Sequence, residues 1–107
     1  MKIALLQLKV LEKNREGNIA HGLQLAAAAA KEHELLVLPE VWTTGYSLGH
    51  LERDAEQYGS SEVIEALQQI AVREQCAIIA GSVPMRRDGI VLSLIHISEP
   101  TRHLRIS

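Results

Sequence analysis

Apolar residues in this chain fall into short unbroken runs, separated by stretches in which they recur every three or four positions. Lys2 to Leu8 is apolar at Ile3, Ala4, Leu5, Leu6 and Leu8, and Leu35 to Leu38 is apolar throughout. Ala77 to Val83 (AIIAGSV) is nearly so, and Pro84 closes it. Such runs predict strands covered on both faces, and the first has the near-continuous character of an inner strand. Between the first two, Asn14 offers a helix cap, and Ile19, Leu23, Ala26, Ala27 and Ala30 make one stripe on a helix from about Arg15 to Glu32. Between the second and third, Ser60 or Ser61 can cap a helix whose buried stripe is Val63, Ile64, Leu67, Ile70 and Ala71. The order is βαβαβ, with parallel strands joined by right-handed crossovers. Arg86 to Gly89 predicts a turn after the third strand.

The second strand is where this pattern points to chemistry. Leu38 is followed by Pro39 and at once by an acidic residue, Glu40. In open α/β sheets ligands meet the protein outside the carboxyl ends of the strands, so a carboxylate here is a candidate for work as well as for solubility. The segment from Val41 to about Gly59 reads as a loop rich in turn formers, with Trp42, Thr44, Tyr46 and Tyr58. Those side chains either wall a pocket around Glu40 or cover the end of the sheet.

Composition narrows the function. A chain of 107 residues with 47% apolar content is one domain, or a piece of one. Its 11 basic and 13 acidic residues, net charge -2, offer no field for nucleic acid and no anchor for a membrane. The opening MKIALLQLKV lacks the length and cleavage site of a leader, which predicts a cytoplasmic protein. One cysteine, Cys76, allows no intrachain disulfide, and its place between a polar helix end and an apolar strand predicts an inert thiol. Five isolated histidines give no metal-ligand spacing, and His50 is a weak catalytic candidate. No glycine-rich nucleotide loop and no G-x-S-x-G elbow occurs, and no cofactor is expected.

The order KIALLQL, ELLVLPEVWTTGYS and AVREQCAIIAGSVP resembles the amino-terminal part of the nitrilase superfamily of carbon-nitrogen hydrolases. The sharper motifs are LPE at Leu38 to Glu40, TGY at Thr44 to Tyr46 and GSVP at Gly81 to Pro84. The resemblance implies that this α/β chain is the βαβαβ amino-terminal portion of a four-layer αββα sandwich, from a longer parent that is a homo-oligomer. It also implies a catalytic glutamate, lysine and cysteine, with Glu40 as the general base and Trp42, Thr44 and Tyr46 as contributors to the mouth of the site. The implied substrate is a small linear amide, an amidase being favoured over a true nitrilase. In the family pattern the lysine and the nucleophilic cysteine lie downstream of the GSVP strand, and Cys76 lies ahead of it. This chain is therefore expected to carry Glu40 alone of the three, and to be inactive by itself.

The end of the chain departs from that resemblance. Leu92 to Arg102 (LSLIHISEPTR) is similar to a translated sequencing-library adapter, so residues 1–91 are expected to be a partial carbon-nitrogen hydrolase domain and 92–107 a non-native tail. Periodicity also allows Ile90 to Ile97 as an ordinary fourth strand. A different class of function stays open as well, a non-catalytic α/β binding or interaction domain that happens to present LPE.

Overall fold

The structure is a computed structural model that describes residues 1–11, 14–44, 55–57, 61–88 and 90–100. In chain order its elements are β1 (Ile3–Leu5), α1 (Arg15–Ala30), β2 (Leu35–Val37), β3 (Glu56–Gln57), α2 (Glu62–Glu74), β4 (Ala77–Arg87) and β5 (Ile90–Ser98). Both helix caps follow the expected chemistry. The Asn14 side chain accepts from the Gly17 N–H at 3.2 Å, and the Ser61 hydroxyl accepts from the Ile64 N–H at 3.1 Å. Gln75 ends α2 in the left-handed conformation, its N–H returning to the carbonyl of Ala71.

Parallel pairing of β1 with β2 and of β2 with β4 gives the predicted crossovers. β5 runs antiparallel along the other edge of β4, while β3 adds to the edge that β2 occupies, farther along at Met85 and Arg86. The loop expected from Val41 to Gly59 thus contains a short strand. Two further expectations need correction. β1 is at the edge of the described sheet rather than inside it. β4 does not stop at Pro84 but continues to Arg87. Proline deprives a ladder of one donor, and on the β2 side Val83 and Pro84 face the interval between the Glu40–Ser82 bridge and β3, where no described pairing exists to lose.

Helices α1 and α2 share one face of the sheet, and the core there joins Ala26 and Ala30 of α1 and Val63, Leu67 and Ala71 of α2 to Leu36, Ile78 and Ala80. Along α1 the deepest line is Asn18, Gly22, Ala26 and Ala30, while Ile19, Leu23 and Ala27 of the predicted stripe are only half-buried. Small residues let the helix approach closely, and the approach is made at Gly22, where a Cβ would run into the ring of Trp42. In the α2 stripe Val63, Leu67, Ile70 and Ala71 are buried as expected, and Ile64 is half-buried.

The opposite sheet face is apolar, and among the described residues no element covers it. Pairing aligns Ile3 with Leu35 and Ala77 in one row, and Leu5 with Val37, Ile79 and Ile97 in the next. Ile3, Leu5 and Ile97 are 52%, 73% and 50% exposed. That is the two-sided apolar pattern of a covered strand with one cover missing.

Candidate active site

The chain leaves β2 through a corner built against β4. The Leu38 N–H donates to the carbonyl of Ile79 at 2.9 Å, and the Val41 N–H donates to the hydroxyl of Ser82 at 2.9 Å. The indole N–H of Trp42 donates to the carbonyl of Ala80 at 2.7 Å. Glu40 itself forms an isolated parallel bridge with Ser82, and its side chain lies on the exposed side of the corner. The expected strand-end carboxylate is therefore at the carboxyl end of β2, open to solvent and held to its neighbour strand by backbone.

Two unusual backbone positions shape this corner. Val41 has φ of 37°, a left-handed conformation that β-branched residues avoid and that costs of order 1–3 kcal/mol. Gly81 has φ of 70°, and a Cβ there would run into the carbonyl oxygen of Pro39 and lie 2.7 Å from that of Leu38. Close backbone approach requires a glycine here. The pairing of β4 with β5 is also irregular between Ile79 and Ser82, as expected where a strand bends around such a contact.

Trp42 and Thr44 point the other way from Glu40 in their environment. Trp42 is fully buried in the core beneath α1, and Thr44 is 1% exposed. Thr43 is buried between them, and among the described residues its hydroxyl has no hydrogen-bond partner. The turn is anchored by Asn18, whose amide donates to the carbonyls of Leu11 at 2.7 Å and Thr43 at 3.1 Å and accepts from the Leu11 N–H at 2.9 Å. Tyr46 and His50 lie outside the described residues. The sequence motifs drew attention to Gly81 and Ser82 only as part of GSVP. Their contact with the Glu40 corner is foreshadowed by a glycine inside an apolar strand, which signals close backbone approach.

Other reactive groups stand apart. Cys76 is fully buried. Desolvation, helped by the carboxylates of Glu34 and Glu74, raises its thiol pKa above the ordinary value, which leaves it a poor nucleophile. Between α1 and α2 a cleft of about 420 Å³, bordered by Arg15, Ile19, Leu23, Glu62 and Val63, includes none of the predicted site residues. Among the described residues no cluster of histidine, cysteine and carboxylate side chains could hold a metal, and no helix is long and apolar enough to cross a membrane.

A carboxylate on a braced strand end is compatible with many α/β activities, and comparison with known proteins separates them. The family model for carbon-nitrogen hydrolase matches residues 2–102. The chain belongs to the carbon-nitrogen hydrolase family. Within that family it is 32% identical over 97 residues to 2-oxoglutaramate amidase of Bacillus subtilis (strain 168), a match covering 91% of this chain and 37% of the amidase. It also superposes on a CN-hydrolase superfamily protein of Xanthomonas campestris, solved with an arsenic adduct in its active site. That likeness has a TM-score of 0.81 at 26% identity, covering 94% of this chain and 37% of that one. Nit3 of Saccharomyces cerevisiae, a nitrilase-superfamily member, shares the fold with a TM-score of 0.80 at 20% identity, covering 94% and 40%. The chain thus spans little more than a third of the length of these carbon-nitrogen hydrolases. The family match includes residues 92–102, the run expected to be foreign.

Proposed function

We propose that this chain is the part of a carbon-nitrogen hydrolase that supplies the general base, Glu40, for hydrolysis of a small linear amide to a carboxylate and ammonia. The observation that carries this reading is the position of Glu40 at the carboxyl end of β2, bridged to Ser82, within the span the family model matches. The amidase relative supports an amide as substrate. The nucleophilic cysteine and a lysine come from sequence beyond these 107 residues, since Cys76 is buried and its thiol is held protonated.

In this mechanism the Glu40 carboxylate takes the proton of the cysteine thiol as sulfur attacks the amide carbonyl carbon. The lysine stabilises the negative charge that develops on the carbonyl oxygen. Collapse of the tetrahedral intermediate breaks the carbon-nitrogen bond, and the proton held by Glu40 goes to the departing ammonia. Glu40 then takes a proton from water, which attacks the thioester. The product acid leaves as the thiol is regenerated, and no cofactor is consumed. Trp42 serves as the footing of the corner and Thr44 as part of the turn after it, while for Tyr46 the role at the mouth of the site is the one that the family resemblance implies.

Residues 92–107 are, on this reading, a non-native tail after a partial domain of residues 1–91. Pairing of β5 with β4 is backbone hydrogen bonding open to any extended apolar run, and it says nothing of the origin of the codons. Sequencing the source DNA past codon 91 tests this: an open frame continuing to a strand-end lysine and a later cysteine is expected. A stop codon with no adapter in the source would contradict it. Ammonia release from small amides by the purified 107-residue chain should be undetectable, and turnover that Glu40→Gln abolishes would overturn the requirement for further residues.

A further inference from the structure

We propose that Ser82 is a positioning residue for Glu40, an inference that rests on the general-base reading above. Of the hydrogen bonds that fasten Leu38 to Trp42 onto β4, two end on the backbone carbonyls of Ile79 and Ala80, which any residue would supply. Another ends on a side chain, the hydroxyl of Ser82, which accepts the N–H of Val41 at 2.9 Å. That N–H belongs to the peptide joining Glu40 to Val41, so the bond fixes the plane of the peptide from which the carboxylate projects.

The same residue bridges Glu40 through its backbone, and Val41 is held at φ of 37°. A strained conformation persists only where its surroundings over-determine it. Here Gly81 closes the corner from below against the carbonyls of Pro39 and Leu38, and Ser82 holds it from the side. Without the hydroxyl, Val41 can relax toward an ordinary β conformation and rotate the Glu40 peptide. A carboxylate that must reach a thiol, a leaving amine and a water in turn is sensitive to such a change, since about 1 Å of misplacement costs up to ~100-fold in rate.

The test compares Ser82→Thr, Ser82→Val and Glu40→Gln in the whole-length hydrolase that carries this segment. Threonine and valine have nearly the same shape and both suit a strand, so they differ at this position by the hydroxyl. Ser82→Thr should keep kcat within about threefold of the parent, whereas Ser82→Val should lower kcat by ~10- to 100-fold with KM changed by less than about threefold. Equal kcat in the two variants, or a change confined to KM, overturns the positioning role. Retention of activity by Glu40→Gln overturns the general-base reading instead. A readout without substitution is amide exchange in the 107-residue chain, where the Val41 N–H should be protected. Exchange at the rate of an open amide would refute the hydrogen bond on which the inference stands.

Discussion

The indole N–H of Trp42 donates to the carbonyl of Ala80 across 2.7 Å, with both residues fully buried. This bond ties the turn after Glu40 to the middle of β4, and the ring it orients fills the space left by Gly22 of α1. Trp42→Phe keeps most of the ring volume but removes the buried donor to the Ala80 carbonyl, which should cost about 1–3 kcal/mol in urea denaturation. Gly22→Ala, which drives a methyl into the same ring, should cost a similar amount by overpacking, about 1–3 kcal/mol.

Gly81→Ala meets two obstacles at once. Its φ of 70° disfavours a Cβ, and the added methyl collides with the backbone of Pro39, which has no side-chain freedom with which to yield. A loss of more than about 1 kcal/mol is expected, larger than for an ordinary strand substitution. Chemical denaturation of the variant measures it.

The buried thiol of Cys76 should resist alkylation by iodoacetamide in the native chain and react once urea unfolds it. Its folded pKa is raised, chiefly by desolvation, so the folded state holds the thiol proton more tightly than the unfolded state does. The corresponding stability is fully present below the unfolded pKa of about 8.5 and is lost as pH rises through the folded value. Cys76→Ala should flatten that alkaline decline in a series of melts above about pH 8.5.

On the uncovered sheet face, Leu5 stands 73% exposed beside Val37 and Ile79. Contiguous apolar surface of this kind drives self-association. Leu5→Lys should raise the solubility of the isolated chain while leaving its urea midpoint nearly unchanged, because the side chain contributes little to the core under α1 and α2. Light scattering at increasing protein concentration reports the difference.

Much of this architecture was legible in the sequence. The cap residues Asn14 and Ser61, the stripe of α2 and the three parallel strands follow from periodicity and side-chain chemistry that act locally. Non-local contacts were harder to read. The line of α1 that packs deepest is shifted to Asn18 and Gly22 because a tryptophan twenty residues onward needs the room, and no helical period encodes that. β4 runs past Pro84 where no described residue pairs with it on the β2 side, a property of the partner strand rather than of proline. At the candidate site, Glu40 was visible as a carboxylate after a strand, and family motifs gave it a role to test. The clamp of Gly81 and Ser82 shows only in the fold, which brings Val41 and Ser82 into contact across 41 positions.

Ammonia release by the whole-length protein carrying this segment, with and without Glu40→Gln, tests Glu40 as the base of an amide hydrolase. General-base catalysis contributes typically ~10²- to 10⁴-fold, so the glutamine variant should lose at least about 100-fold in kcat while still binding substrate. A glutamine variant that turns over amides within about threefold of the parent would contradict the assignment.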